Sequence, residues 1–163
     1  MNSNILTPMT KLKVMTQKVS IKSIQNGATS SRDWAPLHTD QKWAVNEGNL
    51  PNIIMNNYTL NGLIIKYATN IYGPSSRVGK VKFKIKRPIC PDSLLEFHGI
   101  IAEKQKIDNS RSLLKIDLEI KVGSVKSTSA VIYIAINDGS NLDASAWKMN
   151  SSEWLACLKL CQK

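Results

Sequence analysis

The chain predicts an α+β domain in which an antiparallel sheet wraps one long helix, and three observations carry that reading. Met55, Leu60, Leu63, Ile64, Tyr67, Ala68 and Ile71 recur at helical spacing, and Gly73-Pro74-Ser75-Ser76 stops the helix that they define. Beyond it strand signals follow, the cleanest with period two: Leu114, Ile116, Leu118, Ile120 and Val122 are interleaved with Lys115, Asp117, Glu119 and Lys121. Short turn signals such as Gly123-Ser124 separate these segments. A single long helix followed by strands alone buries its apolar stripe against an antiparallel sheet.

In chain order, residues 1–13 are polar and irregular and read as a loose tail. From Val14 to Ile24 a loose alternation suggests a strand, with Val19 and Ile21 set between Lys18, Ser20 and Lys22, and Asn26-Gly27 marks a turn after it. Thr39 or Asp40 caps a short helix that ends near Gly48 and contains Trp43, Ala44 and Glu47. The central helix runs from about Met55 to Tyr72. Four strands follow. Val81, Phe83 and Ile85 alternate with Lys80, Lys82, Lys84 and Lys86, and Arg87-Pro88-Ile89-Cys90-Pro91 breaks that strand. Leu95 to Gln105 is the next, with a bulge expected at Gly99. Leu114 to Val122 and Val125 to Ile136 complete the set. One domain therefore spans residues 14–136, and residues 137–163 form a C-terminal extension. There Trp154, Leu155, Leu158 and Cys161 make an apolar stripe, expected on a helix that docks or contributes to an oligomer contact.

The 163 residues suffice for one domain with a core that needs neither disulfide nor metal. A net charge of +10 attracts anions: nucleic acid, an acidic membrane surface or a phosphorylated ligand. No helix-turn-helix pattern, zinc spacing or aromatic pair on a basic strand supports nucleic acid. Cys90, Cys157 and Cys161 are an odd number without framework spacing, which argues for a reducing compartment, and no histidine neighbours the last two to make a metal site. No basic start leads into an apolar core at the N-terminus, and the longest apolar run, Val131 to Ile136, is too short to span a bilayer. A cytoplasmic protein is expected.

Residues 30–44 hold the densest chemistry. Asp33 and His38 stand five positions apart with Pro36 between them, and proline forbids a helix through Asp33 to His38. The resulting bend can aim a carboxylate and an imidazole at one point, where they would hold and deprotonate a water. The bland reading stays open beside this one. Asp33 can serve a turn, Thr39 or Asp40 a helix cap, and His38 a nearby backbone group.

The run Asp33-Trp34-Ala35-Pro36-Leu37-His38-Thr39-Asp40, followed by Ala44, resembles the D-x-N-P-(I/L/V)-H-x-D-x-x-x-A signature of MaoC-like (R)-specific enoyl-CoA hydratases. It departs from that signature at Ala35, where the usual residue is Asn, and carries Arg32 where many members have Gly. Arg87-Pro88-Ile89-Cys90-Pro91-Asp92-Ser93-Leu94-Leu95 resembles the family's R-x-P-V-x-P-G-D-T-L corner with its Gly-Asp-Thr part altered. The likeness spans roughly residues 18–136; in the family a first strand leads through a short helical turn to the catalytic Asp, and Lys18 to Asp33 fits that lead-in.

The resemblance implies a hot-dog fold, an Asp33/His38 dyad and a trans-2-enoyl-CoA substrate, with no cofactor beyond the coenzyme A that the substrate carries. Matching Ile54-Met55-Asn56 to the family's A-H-G places the backbone N–H of Asn56 where a Gly amide polarises the thioester carbonyl. Trp34, Pro36 and Met55 would contact the acyl group. The run from Asn52 to Gly62 looks closer to members that take bulky acyl-CoAs, some of which work as pairs of unlike subunits. Lys82 and Lys84 would meet coenzyme A phosphates, although lysines alternating on a strand ordinarily form a solvated face or guard an edge. His98, beside Gly99, reads as structural. The expected activity is hydration of an enoyl-CoA or the reverse dehydration, by a homodimer or heterodimer of hot-dog subunits. Alternatives are a non-catalytic or partner-dependent subunit, or a thioesterase on the same fold.

Overall fold

The computed structural model describes residues 7–139, 141 and 143–161. Its sheet consists of β1 (Met15–Lys18), β2 (Arg77–Ile85), β3 (Leu94–Lys106), β4 (Arg111–Val122) and β5 (Val125–Asn137). They run in the order β1-β3-β4-β5-β2, every neighbouring pair antiparallel. Four further elements are α1 (Ile21–Ser30), α2 (Gln41–Asn46), α3 (Asn57–Tyr72) and α4 (Ser151–Leu160). Helix α3 lies along one face of the sheet, where Leu60, Ile64, Tyr67 and Ala68 are buried with Leu95, Phe97, Ile116, Leu118, Ile132 and Ile134. This is the hot-dog arrangement, and it bears out the expected α+β class.

The lead-in to Asp33 is helical, as the resemblance implies, where the alternation alone suggested a strand to Ile24. The strand stops at Lys18, and α1 occupies the segment read as the end of a strand and an Asn-Gly turn. Local hydrogen bonding outweighs the weak alternation. The Ser20 hydroxyl accepts the Ser23 N–H at 3.0 Å, and Ser23 Oγ accepts the Ser20 N–H at 2.9 Å, a reciprocal cap that starts the helix. Ile24 and Ala28, one turn apart, then bury on the core side. Gly27 is needed mid-helix for space, because a Cβ there would collide with the Thr59 side chain of α3.

Three smaller differences follow the same physics. The N-terminal segment is not loose from Met9 onward: the Met9 and Leu12 N–H groups donate to the carbonyls of Ile101 and Gly99, which ties the chain to β3. Residues 1–6 lie outside the described residues. The bulge expected at Gly99 falls instead between Ile101 and Glu103. Gly99 makes room for Tyr67, whose hydroxyl accepts the Gly99 N–H at 3.0 Å. Helix α3 begins at Asn57, two residues later than read, with Asn56 as its cap.

The C-terminal extension folds onto the other face of the sheet. Ala146, Met149, Cys157 and Cys161 form a second apolar cluster with Leu113, Tyr133 and Ala135. Trp154 and Leu158 pack there as expected of a docking helix, while Leu155 is exposed and Cys157 takes the buried position. The Arg77 guanidinium lies 3.8 Å from the Trp154 ring centroid and 4.9 Å from that of Trp147.

Candidate active site

Asp33 and His38 converge because of how α1 ends. Ser31 closes the helix, Arg32 turns the chain at φ +56°, and the Asp33 N–H donates back to the Ala28 carbonyl at 2.9 Å. Pro36 opens a 3-10 turn over Pro36–His38, its fixed φ suited to the first position. The two side chains then meet, His38 Nε2 lying 3.3 Å from Asp33 Oδ2.

The imidazole is oriented from behind. Its Nδ1 lies 2.7 Å from the Ile54 carbonyl oxygen, which can only accept, so Nδ1 carries the proton. In the neutral ring Nε2 is therefore a lone pair facing the Asp33 carboxylate, two acceptors that a water could bridge by donating a hydrogen bond to each. His38 is buried, whereas the Asp33 side chain keeps 25% of its exposure, so the pair is reached from the Asp33 side.

That side is a cavity of about 260 Å³ lined by Asp33, Leu37, His38, Ile54, Met55, Asn57, Ile85, Pro88 and Ile89. Its walls are apolar apart from the dyad and the first turn of α3. The Arg87–Pro91 corner closes it, held where the Met55 N–H donates to the Ile89 carbonyl at 2.8 Å. Asn56 caps α3 next to this cavity. Asn56 itself does not line the cavity, whereas its neighbours Met55 and Asn57 do, and among the described residues no acceptor takes the Asn56 backbone N–H at this positive end of α3.

The remaining residues singled out in the sequence divide. Met55 lines the cavity. Trp34 and Pro36 do not line it, and Trp34 is 68% exposed. Lys82 and Lys84 are exposed on the sheet face opposite α3, in a trough of about 710 Å³ shared with His98, Asp117 and Glu119. Within a single chain they are not brought to the dyad. His98 pairs at 3.3 Å with Glu96. No group of three His, Cys, Asp or Glu residues able to hold a metal occurs among the described residues. None of their helices is long and apolar enough to cross a membrane.

Sequence reasoning missed one part of the site. The Asn56 side chain, 2% exposed as a residue, donates from Nδ2 to Asp33 Oδ2 at 3.1 Å and to Ser31 Oγ at 2.8 Å. Its Oδ1 accepts the Thr59 N–H at 3.0 Å and the Thr59 hydroxyl at 2.6 Å. The visible signal was an Asn three residues before a Thr at the head of an apolar-periodic stretch, which marks a helix cap.

A hot-dog domain with a carboxylate–imidazole pair at the head of its central helix is thus the class that fold and site define. Solved structures share the fold. One is the ChsH1-ChsH2 complex from Mycobacterium tuberculosis, at 19% identity over 80% of this chain and 98% of that one, with a TM-score of 0.68. Another is the R-hydratase PhaJ1 from Pseudomonas aeruginosa, at 17% identity over 81% of this chain and 83% of that one, TM-score 0.67. A MaoC-like dehydratase from Rhodospirillum rubrum matches at 10% identity over 80% and 92%, TM-score 0.68. No family model matches the chain, and no curated protein matches it.

Proposed function

We propose that this chain is a MaoC-like hydro-lyase that adds water to trans-2-enoyl-CoA thioesters with (R) stereochemistry, or removes it from the 3-hydroxyacyl product. The observation that carries this reading is the meeting of Asp33 and His38 over one apolar cavity beside an amide at the start of α3. The resemblance of residues 33–44 to the hydratase signature and the fold shared with an R-hydratase support it.

The chemistry follows from the geometry. A water held between Asp33 and His38 Nε2 loses a proton to the dyad while its oxygen bonds to C3 of the substrate. Electron density moves through C2 onto the thioester oxygen, where the Asn56 N–H and the α3 dipole stabilise the developing enolate. The dyad then returns a proton to C2. The water's two hydrogens and its oxygen all end in the 3-hydroxyacyl thioester, and no cofactor enters beyond coenzyme A within the substrate. The protein would act in the cytoplasm.

A partner-dependent subunit is the second reading. Among the described residues strands β1 and β2 are both unpaired on their outer sides, and one neighbour with this fold is a complex of two chains. One assay addresses both readings: loss of the conjugated enoyl-thioester absorbance with short, medium and bulky trans-2-enoyl-CoAs. Turnover that falls by a factor of roughly 10² or more in Asp33→Asn and in His38→Ala, with both variants folded, is the expected result. Wild-type activity in either variant removes that residue from the mechanism. Silence of the wild-type chain with every substrate transfers the case to the partner-dependent reading, which co-purification then tests.

A further inference from the structure

We infer that the Asn56 side chain is a positioning residue that holds the Asp33 carboxylate against His38, a role separate from that of its backbone N–H. The inference rests on the hydratase reading for its kinetic consequence and on geometry alone for the positioning. An Asn amide has one accepting and one donating end, and here its orientation is forced. Thr59 presents two donors, its N–H and its hydroxyl, to Asn56 Oδ1, so Nδ2 must face the other way. In that direction lie Asp33 Oδ2 and Ser31 Oγ.

Each neighbour is itself fixed. Ser31 Oγ donates to the carbonyls of Gly27 and Ala28 at 2.8 and 3.2 Å, so it offers Asn56 a lone pair. Thr59 is wedged against Gly27. The close crossing of α1 and α3 at Gly27 is therefore what brings the end of α1, with Ser31 and Asp33, within reach of the Asn56 amide.

The consequence concerns the carboxylate. Asp33 is partly exposed, and among the described residues only His38 and Asn56 engage its carboxylate and keep it from turning toward solvent. Asn56 engages Oδ2, the same oxygen that faces His38, and leaves Oδ1 for water or substrate. The interaction fixes the orientation of the carboxylate.

Asn56→Asp separates this role from capping. Aspartate is as good a helix cap and can still accept from Thr59, but it replaces the donor facing Asp33 with a second carboxylate oxygen. If Asn56 were only a cap, Asn56→Asp would behave as wild type and Asn56→Ala alone would be impaired. Positioning predicts that both variants lose roughly 10- to 100-fold in kcat with KM within about threefold of wild type. It also predicts that the acid limb of the Asn56→Asp pH–rate profile moves to higher pH, as two adjacent carboxylates come to share a proton.

A readout independent of turnover decides the matter even if the chain hydrates nothing. The protein has two histidines, so histidine-labelled NMR gives one ring beside Asp33 and one internal control. In both folded variants the His38 ring resonances are expected to shift while those of His98 stay. An unmoved His38 in folded Asn56→Asp, or an unchanged kcat in an active enzyme, overturns the inference. A wild type inactive on every enoyl-CoA removes the reading of this chain as a hydratase by itself and leaves the NMR comparison to judge the positioning.

Discussion

Replacing Gly99 by alanine tests the contact that seats the central helix on the sheet. A Cβ at this position would lie 2.5 Å from the Tyr67 hydroxyl oxygen, 2.9 Å from Cε1 and 3.1 Å from Cζ. Tyr67 cannot easily retreat, because it is 1% exposed and its ring stacks on Phe97 with centroids 5.8 Å apart. Overpacking of this kind costs about 1–3 kcal/mol. Displacing the ring also breaks the hydrogen bond from the Gly99 N–H and strands a buried hydroxyl, for about 1–3 kcal/mol more. The better strand propensity of alanine returns about 0.5–1 kcal/mol. The net expectation is a loss of about 1–5.5 kcal/mol, read from urea unfolding with an unchanged m-value. In a chain of this length that corresponds to a fall in Tm of roughly 3–20 °C. Tyr67→Phe isolates the hydrogen bond and should cost about 1–2 kcal/mol. A Gly99→Ala protein within about 0.5 kcal/mol of wild type would refute the reasoning, since that is the scatter of ordinary surface substitutions.

Two further outcomes concern charge and thiols. Burial pushes the Asp138 carboxyl up, but hydrogen bonds from Lys104 Nζ at 2.7 Å and Ser112 Oγ at 2.6 Å, with the Lys104 charge, outweigh it and hold the carboxyl below its usual range. A depressed folded value means stability that is present above the unfolded value, about 3.9, and lost as pH falls through the folded one. Asp138→Asn should therefore be less stable than wild type at pH 7, with the gap narrowing below pH about 4 in denaturant titrations; a constant gap would refute the linkage. Cys157 and Cys161 are buried, and burial pushes the Cys157 thiol up to about 11. A thiol reagent should thus label Cys90 first in the native protein at pH 8 and all three cysteines in denaturant, as mass spectrometry would show. Early labelling of Cys157 would mean that α4 leaves the sheet.

The central helix and the four long strands were legible because each buries a regular stripe: Leu60, Ile64, Tyr67 and Ala68 on the helix, and Leu114, Ile116, Leu118 and Ile120 along β4. Helix α1 was not, because Val19 and Ile21 imitate alternation while the deciding forces are a serine pair and packing against Thr59. Gly27 and Gly99 were read as a turn and a bulge, the local meanings of glycine. Both serve a close approach from a residue 32 positions away, Thr59 for Gly27 and Tyr67 for Gly99, which no local pattern encodes. At the site, Asp33 and His38 stood out because proline and spacing make a bend there. The Asn56 amide did not, since its partners Ser31 and Asp33 lie more than twenty positions away.

The clasp on β2 has a consequence for the order in which the molecule is completed. Ser76 accepts a hydrogen bond from the Trp147 indole, Lys80 donates to the Cys161 carbonyl, and Arg77 is held between two tryptophans. All of those partners are made seventy or more positions after the strand they secure. On the ribosome, Asp33, His38 and Asn56 therefore emerge first and wait, while the wall of their cavity at Ile85 hangs on a strand whose last fastenings are translated near residue 161. Synthesis from the N-terminus thus lays down the reactive groups early and secures the cavity wall late.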